Sequence, residues 1–165
     1  MSWPAKFVSP ADIPLLAQKL RQSGQRIVFT NGCFDLLHVG HVRLLYQAKQ
    51  HGDILLVAIN TDASIRKNKG FSRPIVSEME RAELLASLEM VDYVTLFGEP
   101  TPKDIIDLVI PQALVKGGDW GENAIVGRDT VEAHGGKVIR IPPWPGHSTS
   151  NLIQIIQERF PQDNR

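Results

Sequence analysis

Residues 32–41 read GCFDLLHVGH, and they lie between an apolar run at 26–30 and a helical pattern at 42–50. This order predicts a strand, a turn and a helix. His38 and His41 are three residues apart, so they share one face of the first helical turn and can point at one ligand. That turn presents unpaired backbone N–H groups and a partial positive charge, which suits a phosphate. The segment therefore predicts a phosphate-binding junction between strand and helix.

Other residues of the same segment favour this interpretation. Gly40 removes a side chain where a phosphate would approach the backbone, and Asn31 with Gly32 predicts a tight turn. The two histidines could instead form a metal pair, but no cluster of cysteines or carboxylates lies nearby to complete such a site. They could also be ordinary surface or core residues. The glycines, Asp35 and both histidines together favour phosphate chemistry.

Composition places the chain among soluble globular proteins. It has 165 residues, of which 42% are hydrophobic and 22% are charged, so one domain with its own core is expected. The net charge is zero, which gives no electrostatic case for binding nucleic acid or an anionic membrane. The longest apolar run, at 54–59, is too short to span a bilayer, and no signal peptide is recognised. With Cys33 as the single cysteine, a cytoplasmic location is expected.

Strand and helix patterns alternate along the chain. Strands are expected at 26–30, 53–60, 93–97, 113–116 and 137–140, and helices at 38–51, 77–88, 102–109, 127–133 and 151–160. This alternation predicts an α/β fold with a doubly wound parallel sheet. In such sheets, ligands bind at the carboxyl ends of the strands.

The N-terminal part precedes this alternation. Residues 1–10 are polar and contain proline, so a poorly fixed arm is expected. Ile13, Leu16 and Leu20 then form a helical stripe that ends at Gly24. This helix could pack on the domain or contribute to a dimer contact.

Several further segments accompany the H-x-G-H motif. They are VAINTD at 57–62, KGFSRP at 69–74, ER at 80–81, VKGGDW at 115–120 and STSN at 148–151. With these segments, the chain from residue 26 to residue 160 resembles the nucleotidyltransferase superfamily that includes glycerol-3-phosphate cytidylyltransferases and pantetheine-phosphate adenylyltransferases. Within it, the chain is most similar to the adenylyltransferases that make ADP-heptose from heptose 1-phosphate. The resemblance implies a Rossmann-like, doubly wound nucleotidyltransferase domain of the H-x-G-H type over 26–165, preceded by an arm and helix over 1–25.

The resemblance also implies a reaction. An oxygen of D-glycero-β-D-manno-heptose 1-phosphate attacks the α-phosphorus of ATP, and pyrophosphate leaves, giving ADP-heptose for the lipopolysaccharide core. The nucleophile is already an anion, so the site needs aligned donors rather than a general base. Mg²⁺ accompanies ATP, and a homodimer or larger homo-oligomer is expected. The alternatives are a cytidylyltransferase acting on glycerol 3-phosphate or another alcohol phosphate, and a nucleotide-binding module without catalysis.

Site residues follow from the same resemblance. It implies that His38, His41, Lys69 and Arg81 are catalytic. The further nucleotide or phosphate contacts are Asn31, Gly32, Cys33, Phe34, Gly40, Lys67, Gly118, Asp119, Ser148, Thr149 and Ser150. The residues considered for contact with the acceptor substrate are Asp35, Asn60, Arg73 and Trp120. No residue is assigned as a metal ligand.

Structural alternatives remain open for some of these residues. Asp35 could hold Mg²⁺ or orient a neighbour, or it could simply form a turn or cap. The lysines fall in a polar stretch before Gly70 that is expected to be a mobile loop, where charges are usually solvated. Ser148 and its neighbours could be helix caps as well as a second phosphate cradle. No chemical role is expected for Trp144.

Overall fold

The computed structural model describes residues 2–118 and 125–160 of the chain. Its strands are β1 (Ile27–Gly32), β2 (Ile54–Asn60), β3 (Tyr93–Phe97), β4 (Ala113–Gly117) and β5 (Lys137–Ile141). Its helices are α1 (Trp3–Lys6), α2 (Ile13–Gln22), α3 (Val39–Lys49), α4 (Asp62–Lys69), α5 (Glu78–Ala86), α6 (Lys103–Val109), α7 (Arg128–Ala133) and α8 (Thr149–Arg159), with a 3-10 turn at Pro10–Asp12. Every strand and helix expected in the alternating region is present, with ends within two residues of the predicted ones.

The strands form one parallel sheet in the order β3-β2-β1-β4-β5. The chain adds β2 and β3 on one side of β1 and then crosses back to place β4 on the other side. β1 and β4 therefore flank the topological switch point, which is where doubly wound sheets bind their ligands. The predicted α/β, doubly wound parallel architecture is confirmed.

The core has two layers, one on each face of the sheet. Ile27 and Phe29 of β1 pack in the layer that holds α2, α6 and α7, whereas Val28 packs in the layer that holds α3 and α5. This follows from the two-residue period of a strand, which sends successive side chains to opposite faces. All seven residues of β2 are buried, as expected for a strand covered on both faces.

The N-terminal arm is fixed to the domain, so the expectation of a poorly fixed arm is wrong. The backbone N–H of Val8 donates to the carbonyl of Val94 on β3 at 2.9 Å. The ammonium of Lys6 donates to the carbonyl of Leu88 at 3.0 Å. The following helix, α2, buries Ile13 in the core layer against one face of the sheet. It therefore packs on its own domain, which was one of the two alternatives, the other being a dimer contact.

Asn31 and Gly32 form the end of β1 rather than a tight turn, which corrects the sequence-based expectation. They pair in register with Ala58 and Ile59 of β2. The chain changes direction beyond them, at residues 34 and 36, where the backbone φ is +49° at both positions. The strand is therefore long enough to carry the Asn31 side chain to the edge of the sheet.

The polar stretch before Gly70 is helix α4 and not a loop. Thr61 caps it, because its Oγ1 accepts from the backbone N–H of Ser64 at 3.3 Å. Ile65 is its one large buried apolar side chain, at 1% exposure. A single anchor in eight residues gives no helical periodicity to read, which explains the wrong expectation.

Helix α8 closes the described chain and lies on the surface. The apolar positions of the helical pattern at 151–160 predict that Ile156 faces inward, but none of the residues of α8 is fully buried and Ile156 is 52% exposed. Within residues 2–118 and 125–160, no helix has the length and apolar character needed to cross a membrane.

Candidate functional site

A cavity of about 360 Å³ opens at the carboxyl ends of β1 and β4. A smaller cavity of about 120 Å³ adjoins it. The two share part of their lining, and the shared residues are Cys33, Phe34, His41, Lys69, Arg73 and Thr149. Apolar residues such as Leu44, Pro142 and Trp144 line the larger cavity alone. The larger cavity thus has a cationic and hydroxyl-bearing wall toward its neighbour and an apolar wall elsewhere.

The two histidines of the motif stack at the start of α3. Their ring centroids are 3.8 Å apart with an interplanar angle of 23°, and the ring of Phe34 lies 5.0 Å from that of His41. The backbone N–H of His38 donates to Nδ1 of His41 at 3.4 Å. Because Nδ1 accepts this bond, the proton of a neutral His41 is on Nε2. His41 therefore retains one ring N–H for a ligand.

The surroundings of both imidazoles lower their pKa and so favour the neutral form of each ring. Burial, followed by the charges of His38 and Lys69, lowers the pKa of His41 to about 4, and Asp35 opposes this shift. Burial, followed by the charge of His147, lowers the pKa of His38. In its neutral form each imidazole can still donate one ring N–H to a ligand.

Gly40 lies in a tightly packed position beside His38 and His147. A Cβ at this position would lie 3.0 Å from two ring atoms of His38 and 3.4 Å from Cβ of His147. A larger residue would therefore fit only if the neighbouring side chains, His38 first, shifted by a few tenths of an ångström. The glycine thus lets the starts of α3 and α8 approach each other.

Asp35 is buried and its carboxylate is fully engaged. It accepts from Arg73 Nη1 at 2.8 Å and from the backbone N–H groups of Ile75 and Val76, each at 3.0 Å. This arrangement agrees with the alternative that Asp35 orients its neighbours. It holds the segment that carries Arg73 against the cleft.

A metal site built from protein ligands is not found in the described part of the chain. Among residues 2–118 and 125–160, no group of three or more His, Cys, Asp or Glu side chains could hold a metal ion. The Asp35 carboxylate, which is the acidic group lining the smaller cavity, is already committed to Arg73.

The structure does not bring Arg81 to the cleft. Its side chain is completely buried and lines neither cavity. It donates to the carbonyls of Val76 at 3.0 Å, Cys33 at 2.5 Å and Asn60 at 2.9 Å, and to the carboxylate of Asp62 at 2.8 Å. Its guanidinium fastens the ends of β1 and β2 to the start of α4 and to the segment before α5.

Asn60 also lies behind the cleft. It is 9% exposed and lines neither cavity, and its Nδ2 donates to Ser64 Oγ at 3.1 Å. Its Oδ1 faces the thiol of Cys33 at 3.7 Å. Asn60 is therefore not placed to contact a ligand in either cavity.

The charged residues of α4 and of the following segment differ in whether they line the cavities. Lys69, the last residue of α4, and Arg73 both line the two cavities. Lys67 is exposed and lines neither. The geometry thus favours Lys69 over Lys67 as the lysine that meets an anion.

Hydroxyl residues at the start of α8 line the cleft, and Ser148 among them also caps this helix. Ser148 Oγ accepts from the backbone N–H of Asn151 at 3.1 Å. Thr149 Oγ1 donates to the backbone carbonyl of Asp35 at 2.5 Å, which ties α8 to the loop after β1. Ser148, Thr149 and Ser150 all line the larger cavity.

Trp144 and Arg43 are site residues that the sequence analysis missed. Residues 144–147 form a turn in which the N–H of His147 donates to the carbonyl of Trp144 at 3.3 Å and Gly146 has φ +76°. This turn brings both Trp144 and His147 into the cavity lining. The guanidinium of Arg43 on α3 lies 3.8 Å from the centroid of the Trp144 ring. The Pro145-Gly146 pair signals the turn, but nothing in the sequence signals its partner on α3.

The other predicted contacts fall into two groups. Asn31, Gly32, Cys33, Phe34, Gly40 and Gly118 line the larger cavity. Asp119 and Trp120, which were predicted to contact the nucleotide or sugar, lie outside the described residues.

The strand order and the cleft define an α/β domain with a cavity at its switch point. Residues 29–155 match the family model described as cytidylyltransferase-like. The chain belongs to the cytidylyltransferase-like family, which confirms the predicted superfamily.

Curated relatives are similar over most of this chain. Bifunctional protein HldE of Syntrophotalea carbinolica is 52% identical over 142 residues, covering 86% of this chain and 29% of the relative. Bifunctional protein HldE of Citrifermentans bemidjiense is 54% identical over 137 residues, covering 83% and 28%. The chain therefore spans less than a third of the length of these relatives.

Solved structures show the same fold. The lipopolysaccharide core biosynthesis protein of Thermoplasma volcanium is 29% identical with a TM-score of 0.63, covering 73% of this chain and 99% of that one. Pantoate-beta-alanine ligase of Francisella tularensis has a TM-score of 0.64 at 17% identity, covering 92% and 76%. The second likeness concerns the fold alone.

Proposed function

We propose that this chain transfers AMP from ATP to D-glycero-β-D-manno-heptose 1-phosphate, giving ADP-heptose and pyrophosphate for the lipopolysaccharide core. The observation that carries the proposal is the convergence of His38, His41 and Lys69 with the start of α8 on one cleft at the switch point. The HldE relatives and the lipopolysaccharide core biosynthesis protein support heptose phosphate as the acceptor.

The two cavities suggest how the substrates are arranged. ATP occupies the larger cavity, and the phosphate of the acceptor sugar occupies the smaller one. His41, Lys69 and Arg73 line both cavities, so they lie where the new bond forms. Their shared position would allow each group to contact both anions and hold them together.

The chemistry needs no protein base. An anionic oxygen of the acceptor phosphate forms a bond to the α-phosphorus, and the bond from that phosphorus to the bridging oxygen breaks. The electron pair leaves with pyrophosphate. Nε2–H of His41, the ring of His38 and the N–H groups at the start of α3 donate to the oxygens on which charge develops. Lys69 supplies a positive charge to the same groups.

The apolar wall receives the nucleoside. Trp144 offers a half-exposed ring, held by Arg43 on α3 and followed by Pro145. An aromatic ring in this position can stack on a nucleobase. Gly118 also lines this cavity, and we keep Asp119 and Trp120 as proposed contacts of the ribose or sugar.

Asp35, Asn60 and Arg81 have supporting roles in this proposal. Each is buried and bonded to other protein groups. Asp35 also lines the smaller cavity, whereas Asn60 and Arg81 line neither cavity. Asp35 holds the segment that presents Arg73, and Arg81 holds the loop after β1 in place. They act on the reaction through the residues that they position.

Mg²⁺ is proposed to arrive with ATP and to be held mainly by its phosphate oxygens. Since the described residues provide no acidic cluster, this is the arrangement that their donor set favours. We also propose a cytoplasmic location and a homodimer, for which the exposed apolar residues Ile156 and Phe160 offer a contact surface. Residues 26–165 form the nucleotidyltransferase domain in this proposal, and residues 1–25 are its N-terminal addition.

Pyrophosphate release tests the proposal. The purified chain is supplied with Mg²⁺ and each combination of ATP or CTP with heptose 1-phosphate or glycerol 3-phosphate. Release only with ATP and heptose 1-phosphate is expected, and it should stop when the metal is chelated. Release with CTP and glycerol 3-phosphate would agree with the cleft as the reaction site but would refute ATP and heptose 1-phosphate as the substrates. No release with any pair, together with ATP binding, would indicate a nucleotide-binding module.

A further inference from the structure

Lys116 makes a side-chain contact at the carboxyl edge of the sheet that the proposed reaction does not use. It follows Val115 on β4, which pairs with Thr30 on β1, so Lys116 is next to Asn31 across the two strands. The ammonium of Lys116 donates to Oδ1 of Asn31. Asn31 lines the larger cavity, and burial lowers the pKa of Lys116 to about 8.

This contact decides which end of the amide faces the ligand. An ammonium group can only donate hydrogen bonds, so it holds the oxygen of the Asn31 amide and turns the NH₂ group away. None of the described residues accepts from Asn31 Nδ2. Because Asn31 lines the cleft, its two N–H donors are left for a ligand oxygen. With the amide reversed, a carbonyl oxygen would face an anionic ligand instead.

We propose that Lys116 is a positioning residue that holds the amide of Asn31 with its N–H groups toward the cleft, where they donate to an anionic oxygen of the bound nucleotide. This inference rests on the proposed function only in taking the larger cavity as the nucleotide site. It assigns no contact between Lys116 and the substrate. A desolvated cation is costly to bury, and the bond to Asn31 offsets part of that cost.

A double-mutant cycle on ATP binding tests the proposal. The dissociation constant for ATP with Mg²⁺ is measured by calorimetry for the wild type, Asn31→Ala, Lys116→Met and the double variant. Losing a donor to a charged oxygen should weaken binding by about ten-fold in Asn31→Ala. Lys116→Met should weaken it several-fold, and the double variant should bind no more weakly than Asn31→Ala. Additive losses would overturn the proposal, because Lys116 would then act independently of Asn31.

A second readout separates positioning from a general structural role. Nitrogen relaxation of the Asn31 side-chain amide, recorded without ligand, should show a restrained NH₂ group in the wild type and a mobile one in Lys116→Met. Equal mobility in both would overturn the proposal. Lys103→Met is the matched control, since it removes a lysine bonded to Asp107 and Thr130 on α6 and α7. It should leave both the amide and ATP binding unchanged.

The heptose assignment and the positioning role can fail separately. If ATP binds but heptose 1-phosphate is not a substrate, the acceptor is wrong and the cycle on ATP still reports on Lys116. If the wild type binds no ATP, the proposed nucleotide site and the positioning role are both overturned.

Discussion

Replacing Arg81 with methionine should destabilise the fold strongly rather than remove a substrate contact. The guanidinium is fully buried and donates four hydrogen bonds, to Asp62 and to the carbonyls of Val76, Cys33 and Asn60. Methionine keeps most of the apolar stem but leaves the Asp62 carboxylate without its buried partner. Breaking such a pair costs about 3–5 kcal/mol. For a domain of this size each kcal/mol corresponds to about 2–4 °C, so we expect the melting temperature to fall by roughly 10 °C.

Thermal unfolding followed by circular dichroism measures this effect, with pyrophosphate release assayed well below the melting temperature. Arg66→Met is the matched control, because Arg66 also pairs with Asp62, but at 3.9 Å and with half of its side chain exposed. The control should melt within about 2 °C of the wild type, since exposed ion pairs contribute little. An Arg81→Met variant that keeps its melting temperature but loses turnover would refute the reasoning, because Arg81 would then act on the phosphates directly.

Four further outcomes are expected. His41→Ala should lower turnover on the order of 10²-fold, since it removes a donor to the transition state, and near-normal turnover would contradict its role. Lys69→Ala should weaken ATP binding by about ten-fold, measured by calorimetry, while the control Lys67→Ala leaves it unchanged. A larger loss of ATP affinity in Lys67→Ala than in Lys69→Ala would contradict the choice of Lys69. Trp144→Ala should weaken ATP binding by about ten-fold, and Trp144→Phe should bind ATP about as well as the wild type. Equal ATP affinities of the wild type and Trp144→Ala would show that the nucleobase does not stack on Trp144. Because the pKa of His41 is lowered to about 4 in the fold, its protonation favours the unfolded chain. The free energy of unfolding should therefore fall by up to about 3 kcal/mol from pH 6.5 to pH 4, and urea titrations of His41→Asn should show a shallower fall.

The fold was accessible from the sequence because its signals are local. Apolar runs of strand length alternate with helical patterns, and this alternation is enough to predict a parallel sheet. Ser77 and Glu80 have the three-residue spacing of a capping box, which predicts the start of α5, and in the structure Ser77 N–H donates to Glu80 at 3.1 Å. Helix α4 was missed because its single buried anchor, Ile65, leaves no periodic pattern.

The site was only partly accessible, because side-chain direction is a tertiary property. The H-x-G-H motif placed His38 and His41 correctly at one helix start, and both line the cleft. The position of Arg81 in the sequence matches that of the arginine expected near the phosphates. Its guanidinium nevertheless donates to four protein acceptors that lie on three other segments. Trp144 comes into the cleft through a turn that also depends on contacts with α3. No pattern within a single segment carries such information.

The transfer itself can be followed with heptose 1-phosphate in which the three terminal phosphate oxygens are ¹⁸O. The purified chain is mixed with this acceptor, ATP and Mg²⁺, and the products are separated and weighed by mass spectrometry. Attack by an acceptor oxygen on the α-phosphorus predicts ADP-heptose that retains all three labels and pyrophosphate that carries none. Labelled free phosphate or labelled pyrophosphate would mean that a different bond is broken, and unchanged ATP with unchanged heptose 1-phosphate would contradict the proposed activity.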